Sequence, residues 1–257
     1  MIPYFQWTDI PLGPLSVKVW GLFVALGILT AAIVGRREAR RRGLDGEAFV
    51  ELVVWVISGA IVGARLGFAV FYDSAPFLND PLAIFRLWEG GMSSLGGLIG
   101  AFVAAIPWAR VTKRPFAAYA DVGAFVLPLG YGIGRLGCFF IHDHPGIRSQ
   151  LFFAVAYPGG GRLDHGLIIS IFSFTLFGIF FWLHRRPKSW DGKYLPLFLL
   201  AYGSARFGLD FFRAWDGTLV DRRWLYLTPA QYGGLVMVAV GIWLWQRRPS
   251  VLPPPKT

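Results

Sequence analysis

The sequence has few charged residues and almost no cysteine. Only 16% of its 257 residues are Asp, Glu, Lys or Arg, whereas soluble domains carry about 25%. The single cysteine, Cys138, excludes an intramolecular disulfide and a cysteine-rich metal site. No internal repeat is visible, and no stretch between the apolar runs is long enough for a separate soluble domain. These absences argue against a disulfide-rich secreted protein, a repeat protein and an ordinary soluble enzyme.

The chain instead consists largely of hydrophobic residues, which make up 55% of it and give a mean hydropathy of +0.51. They occur in runs close to the length of about 20 residues that crosses a bilayer. We therefore predict an all-α polytopic membrane protein with seven transmembrane helices. It is predicted to form one integral-membrane domain over residues 1–248, followed by a disordered tail over 249–257. The predicted spans are 17–34, 48–71, 91–109, 119–141, 167–183, 195–212 and 232–245.

The net charge of +10 is distributed unevenly between the loops. The loops on one side of the predicted bundle carry fifteen Lys and Arg, and those on the other side carry six. The positive-inside rule then places the N-terminus outside and the C-terminus in the cytoplasm. We interpret the basic excess as a topology signal rather than a nucleic-acid-binding face. The predicted partner is the lipid bilayer, and no nucleic acid is expected.

Three arginines interrupt the predicted spans: Arg65, Arg135 and Arg206. Each lies six residues before the outer end of its span, on the order of 9 Å below the boundary. Such charges are costly in a membrane and would repel one another unless an anion lay among them. Because the guanidinium fork suits a phosphate, we interpret the three as a phosphate site. The alternative is that each snorkels outward or caps the carbonyls of a broken helix.

Other residues are candidates to complete this site. Asp210 follows Arg206 by four residues and is predicted to share its helix face and pair with it. Gly96 and Gly97 stand near the outer start of the third span, where exposed N–H groups could receive an anion. Gly134 and Gly137 flank Arg135 in a glycine ladder. Close helix packing is the alternative explanation of these glycines.

The outer loop after the fourth span contains His142, Asp143 and His144 in succession. Such a triplet could bind a metal or supply a general base. Three consecutive residues of regular structure cannot all face one ion, and no further His or Cys cluster completes a site. We therefore expect no metal. A general base is the better of the two functional interpretations, and a surface loop with an Asp–His contact is the alternative to both.

The order of these motifs resembles the prolipoprotein diacylglyceryl transferase family. The matching stretches include Arg-Leu-Gly at 65–67, Trp-Glu-Gly-Gly-Met-Ser at 88–93, Gly-Gly-Leu-Ile-Gly at 96–100, Gly-Arg-Leu-Gly at 134–137 and Tyr-Gly through Phe-Phe-Arg at 202–213. Each motif alone is weak, and the ordered set is specific. The resemblance implies a seven-span enzyme of the bacterial inner membrane that needs no metal or cofactor.

The implied reaction moves diacylglyceryl from phosphatidylglycerol to the thiol of a lipobox cysteine in a preprolipoprotein. Arg135 matches the family arginine that engages the phospholipid phosphate, and Arg206 matches its partner in the later helix. Gly146 matches a functional glycine of the outer loop. Asp143 stands near the position of a family glutamate and keeps its charge.

Two departures from the family pattern concern the attacking thiol. Leu95 replaces the usual histidine before Gly96, and Cys138 replaces the usual asparagine. We therefore expect thiol deprotonation to shift to His142 or His144, beside Asp143. The rival hypotheses are a non-catalytic relative that binds anionic lipid, and a transferase with another lipid or another acceptor.

Overall fold

A computed structural model describes residues 1–13, 15–71, 77, 80–86, 91–186, 190–214 and 225–247. In this part of the chain there are seven α-helices, and each overlaps one predicted span. They are α1 (Val19–Arg41), α2 (Gly46–Phe71), α3 (Ser94–Thr112), α4 (Phe116–Ile141), α5 (His165–His184), α6 (Tyr194–Leu209) and α7 (Pro229–Arg247). Short 3-10 helices occupy Pro81–Phe85 and Asp210–Phe212.

The helices confirm a predominantly helical membrane protein. By length and composition, α1, α2, α4 and α5 are apolar enough to cross a membrane, and Gly96–Thr112 of α3 is a shorter apolar segment. The predicted tail over 249–257 and the motif residues 88–90 lie outside the described residues.

Two small antiparallel sheets were not expected from the hydropathy pattern. Strands β1 (Asp9–Leu12) and β2 (Leu15–Lys18) form a hairpin before α1. Strands β3 (Pro145–Arg148), β4 (Val155–Tyr157) and β5 (Gly160–Asp164) form a sheet in the order β3-β5-β4 between α4 and α5. The all-α prediction therefore describes the spans, while the segment between α4 and α5 is largely strand and turn.

The chain divides into two compact units. The first unit comprises Met1–Gly35 and Ala117–Thr257, and the second comprises Arg36–Phe116. The organisation of residues 1–248 as one domain stays a prediction.

In the second unit, α2 and α3 pack with their backbones in contact. A Cβ added to Gly63 would lie 2.7 Å from the Cα of Gly100, and one added to Gly67 would lie 2.7 Å from the Cα of Gly96. Small residues permit this approach, which maximises dispersion contacts between membrane helices. Close packing therefore accounts for Gly96. The Gly96 N–H donates to the Ser93 hydroxyl at 3.1 Å, and the Gly97 N–H donates to the Ser93 carbonyl at 2.9 Å.

Arg65 is a buried cap for the loop between α2 and α3. Its donors reach four backbone carbonyls: Nη2 to Ala83 at 2.6 Å and Arg86 at 3.1 Å, Nη1 to Gly91 at 3.1 Å and Nε to Ile84 at 3.3 Å. The guanidinium also lies over the Phe77 ring, 4.9 Å from its centroid. Because these donors are committed to backbone, the geometry corrects the interpretation of Arg65 as a phosphate ligand and fits the capping alternative.

In the first unit, three features fix the helices that carry Arg135 and Arg206. At Gly130 of α4, an added Cβ would lie 2.7 Å from the Gly27 carbonyl oxygen of α1. The Ser170 hydroxyl of α5 donates to the Gly132 carbonyl at 2.9 Å. The buried Asp121 carboxylate of α4 accepts the N–H groups of residues 192 and 195 at 2.8 Å each, which ties the start of α6 to α4.

We predict that Arg65→Lys destabilises the protein, because a lysine ammonium cannot reach four carbonyls arranged around a planar fork. Leaving buried carbonyls unsatisfied should lower the free energy of unfolding by about 2–4 kcal/mol. Titration with SDS from mild detergent, followed by tryptophan fluorescence, measures this change. Arg110→Lys, at an exposed arginine of α3, is the matched control. Equal stability of the two variants would contradict the capping role.

Candidate active site

Arg135 lies on α4 without a carboxylate partner among the described residues. Its Nε and Nη2 donate to the Tyr131 phenol oxygen at 2.9 and 2.6 Å, one turn earlier in the helix. Its Nη1 lies 3.9 Å from the Cys138 sulfur. A guanidinium within an apolar span therefore has only neutral partners of fixed geometry, and this is the environment in which an anionic ligand binds strongly.

A pair of phenols joins Arg135 to the helix that carries Arg206. The Tyr202 hydroxyl of α6 donates to the Tyr131 oxygen at 2.8 Å, and the two rings meet edge to face with centroids 5.5 Å apart. Tyr202 stands one turn before Arg206, and its phenol is within electrostatic range of both arginines. The structure thus brings the two predicted phosphate ligands of the first unit to one region.

Arg206 pairs with Asp210, which confirms the contact expected from their spacing. Its Nη1 lies 3.0 Å from Asp210 Oδ1, and Nη1 of Arg213 lies 3.9 Å from the same oxygen. Asp210 is fully buried. The prediction that it binds substrate is therefore corrected: the carboxylate orients Arg206 and offers no surface to a ligand.

His142 is part of a buried hydrogen-bond network. Its Nδ1 lies 2.7 Å from Asp164 Oδ2, and the Tyr157 hydroxyl donates to the same oxygen at 2.6 Å. The other oxygen of Asp164 accepts the Leu167 N–H at 2.9 Å and caps α5. Burial, together with the adjacent Asp164 carboxylate, raises the pKa of Tyr157 above its ordinary value, so the phenol stays a donor.

This network does not fit His142 as the general base. Its side chain is fully buried, and Nδ1 is already engaged. The ring is packed among the rings of Tyr4, Phe5, Phe139 and Tyr157. A thiol could not approach either nitrogen without unpacking this cluster, so the prediction for His142 is corrected to a structural role.

His144 is the accessible histidine of the triplet. Its side chain is one-third exposed, and Nδ1 is hydrogen-bonded to the Asp143 carboxylate. One ligand atom each of Cys138, Asp143 and His144 lies within 4.8 Å of the others. Because the Arg135 guanidinium lies beside the same sulfur, like charge opposes a divalent cation there, and we assign no metal. The Asp143–His144 pair has the arrangement of a carboxylate-oriented general base.

The predicted glycines of the first unit differ in their surroundings. A Cβ on Gly134 would make only an ordinary contact, 3.8 Å from Val24 Cγ2. At Gly137, it would lie 2.8 Å from Phe23 Cβ. At Gly146, it would lie 2.8 and 2.9 Å from the carbonyl oxygens of Phe212 and Leu163. Gly137 and Gly146 are thus required by packing, and Gly146 brings β3 against the segment that follows Arg206.

Tyr131 and Tyr202 are site residues that the sequence motifs do not identify. The available signal was their spacing, since each precedes an arginine of a predicted span by four residues and therefore shares its helix face. Which phenol meets which guanidinium depends on the packing of α4 and α6.

The sequence is similar to known proteins over nearly all of its length. The profile of the prolipoprotein diacylglyceryl transferase family matches residues 8–247. A phosphatidylglycerol–prolipoprotein diacylglyceryl transferase of Chromohalobacter salexigens is 37% identical over 248 residues, covering 94% of this chain and 92% of that protein. Proteins of the same name from Solidesulfovibrio magneticus and Pseudomonas aeruginosa are each 32% identical, with at least 95% of each chain covered. The chain therefore belongs to the prolipoprotein diacylglyceryl transferase family.

Proposed function

We propose that the chain transfers diacylglyceryl from phosphatidylglycerol to the cysteine thiol of a preprolipoprotein. The names of its relatives state phosphatidylglycerol as one substrate and a prolipoprotein as the other. The observation in the structure that supports this reaction best is Arg135: a guanidinium in an apolar helix, bonded to a phenol and without a carboxylate partner in the described part of the chain. A lipid phosphate is the anion that reaches this position from a bilayer.

Arg135 and Arg206 hold the lipid phosphate in this proposal. When the thiol sulfur attacks the glyceryl carbon, the C–S bond forms and the C–O bond to phosphate breaks. The electron pair of that bond leaves with glycerol phosphate, and the growing charge is stabilised by the two guanidiniums. Asp210 and Tyr131 fix the two arginines in place before the reaction begins.

The thiol proton passes to His144 in this proposal. Its Nδ1 faces Asp143, which leaves Nε2 to accept the proton and allows the carboxylate to stabilise the imidazolium. The pair stands beside Cys138, which is itself within reach of Arg135. The base is thus close to the phosphate ligand, as displacement at the intervening carbon requires. His144 thus replaces, as general base, the histidine that the family pattern has at position 95.

We further infer that all seven helices cross the bacterial inner membrane, with the N-terminus outside and the C-terminus in the cytoplasm. The overlap of each predicted span with a helix and the excess of Lys and Arg in one set of loops support this topology. The outer sheet and the Asp143–His144 pair then face the side on which a preprolipoprotein emerges. The rival function, favoured by Leu95 and Cys138, is a non-catalytic protein that binds anionic lipid, and a transfer assay separates the two.

Arg135→Gln should lower kcat/KM for diacylglyceryl transfer by at least about 100-fold, because it removes the charge that stabilises the leaving phosphate. The assay measures labelled lipid transferred from phosphatidylglycerol to a lipobox peptide in mixed micelles. Arg110→Gln serves as the matched control and should retain full activity. Near-normal transfer by Arg135→Gln would exclude Arg135 as the phosphate ligand, and no transfer by the unmutated chain would support the lipid binder.

His144→Gln should slow transfer at pH 7 by about 100-fold or more, the usual contribution of a general base. The deficit should shrink towards pH 9, because a cysteine thiol with a pKa of about 8.5 then ionises without help. His142→Gln is the comparison: it should lower stability and leave the shape of the pH–rate profile unchanged. If His144→Gln has the wild-type rate and profile, His144 is not the base.

A further inference from the structure

The carboxylate that orients Arg206 is itself held by a residue from another helix. Asp210 lies at the end of α6, and its Oδ2 accepts a hydrogen bond from the Thr228 hydroxyl. Its Oδ1 faces both Arg206 and Arg213, at 3.0 and 3.9 Å. A carboxylate between two arginines can turn towards either one, and the bond from Thr228 fixes which oxygen faces them.

Thr228 is fixed in turn by Gln231 in a reciprocal cap at the start of α7. The Gln231 side-chain oxygen accepts the Thr228 N–H at 2.9 Å, and the Thr228 hydroxyl oxygen accepts the Gln231 N–H at 3.2 Å. This arrangement is the capping box, in which both ends of a four-residue segment satisfy each other's orphan donors. Both side chains are almost fully buried, with 2% and 1% of their surface exposed.

The same glutamine reaches the helix of Arg206. Its Nε2 donates to the Phe207 carbonyl at 3.2 Å, next in sequence to Arg206. A Cβ added to Gly234 would lie 2.8 Å from the Gly203 carbonyl oxygen, so α6 and α7 are in backbone contact just beside this point. The first turn of α7 is thus bonded both to the carbonyl of Phe207, the residue after Arg206, and to the carboxylate that pairs with the Arg206 side chain.

We propose that Thr228 and Gln231 are positioning residues that aim the Arg206 guanidinium at the lipid phosphate. The inference rests on the proposed role of Arg206 in phosphate binding. A threonine that only caps a helix uses its hydroxyl oxygen as an acceptor. Here the hydroxyl hydrogen is also committed, and its acceptor is the ion-pair partner of Arg206. The position of the Arg206 side chain therefore depends on the start of α7, through the Thr228 hydroxyl and the Asp210 carboxylate.

The test compares Thr228→Val, which keeps the shape of the side chain and removes the hydroxyl, with Thr228→Ser, which keeps the hydroxyl. The loss of a hydrogen bond to a charged group corresponds to about a tenfold effect or more. We expect the valine variant to raise KM for phosphatidylglycerol about tenfold, with KM for the lipobox peptide unchanged. The serine variant should restore KM to within about twofold of wild type. Thr175→Val is the matched control, since Thr175 is exposed and its hydroxyl donates to Ile171 within α5.

A double mutant decides whether Thr228 acts through Asp210. In an Asp210→Asn background, Thr228→Val should change KM by less than about twofold, because residues in one network are not additive. Additive effects, or a wild-type KM in Thr228→Val, would overturn the inference. Should Thr228→Val fail to fold in detergent, Thr228→Ala replaces it. If that variant also unfolds, Thr228 is a folding residue and the inference is wrong.

The result that would contradict the proposed function differs from the results that would overturn the positioning role. If the unmutated chain transfers no lipid, the reaction is wrong, and the positioning role is then judged from binding of phosphatidylglycerol in phosphatidylcholine micelles. Weaker binding by Thr228→Val that Thr228→Ser restores would support the positioning role even then. Equal binding by wild type and Thr228→Val would overturn it.

Discussion

The proposed site in the first unit depends on how the protein stabilises the guanidinium of Arg135. The charge lies in an apolar helix, where the energetic penalty for an unpaired ion is large. The protein supplies the Tyr131 phenol and the neighbouring Cys138 sulfur and, in the described residues, no carboxylate. Neutral partners hold the side chain in place without cancelling its charge. The site therefore keeps its attraction for an anion, and the bilayer contains phospholipid phosphate in abundance.

The three arginines of the predicted spans show how differently one charged group can be stabilised. Arg65 is bonded to the carbonyls of a loop, which makes it a structural element of the second unit. Arg206 is paired with a buried carboxylate that orients it. Arg135 alone is held by a neutral side chain. The same residue type at the same predicted depth thus has three different sets of partners: backbone carbonyls, a carboxylate and a phenol.

Much of the fold could be predicted because hydropathy reports the spans directly, and each predicted span overlaps a helix. The pairing of Arg206 with Asp210 was also predictable, since helical spacing alone places them together. The different surroundings of His142 and His144 were not predictable. They are two residues apart, and only tertiary packing buries the first against Asp164 while the second stays beside Asp143.

Contacts between distant segments were equally unpredictable from the sequence. Thr228 meets Asp210 because α6 and α7 are packed through Gly203 and Gly234, and no local pattern announces that a capping residue will also bind a carboxylate. Arg65 could not be told from the other arginines, because its partners are carbonyls, and every residue has one. Side-chain patterns predict which elements form and which residues share a face. They do not predict which faces meet.

The proposed reaction requires Arg135 as the phosphate ligand, and a structure determined with bound phosphatidylglycerol tests this most directly. We expect a phosphate oxygen within about 3 Å of a guanidinium nitrogen of Arg135, with Arg206 facing the same phosphate. A lipid whose phosphate lies elsewhere, while Arg135 keeps both its bonds to Tyr131, would contradict it.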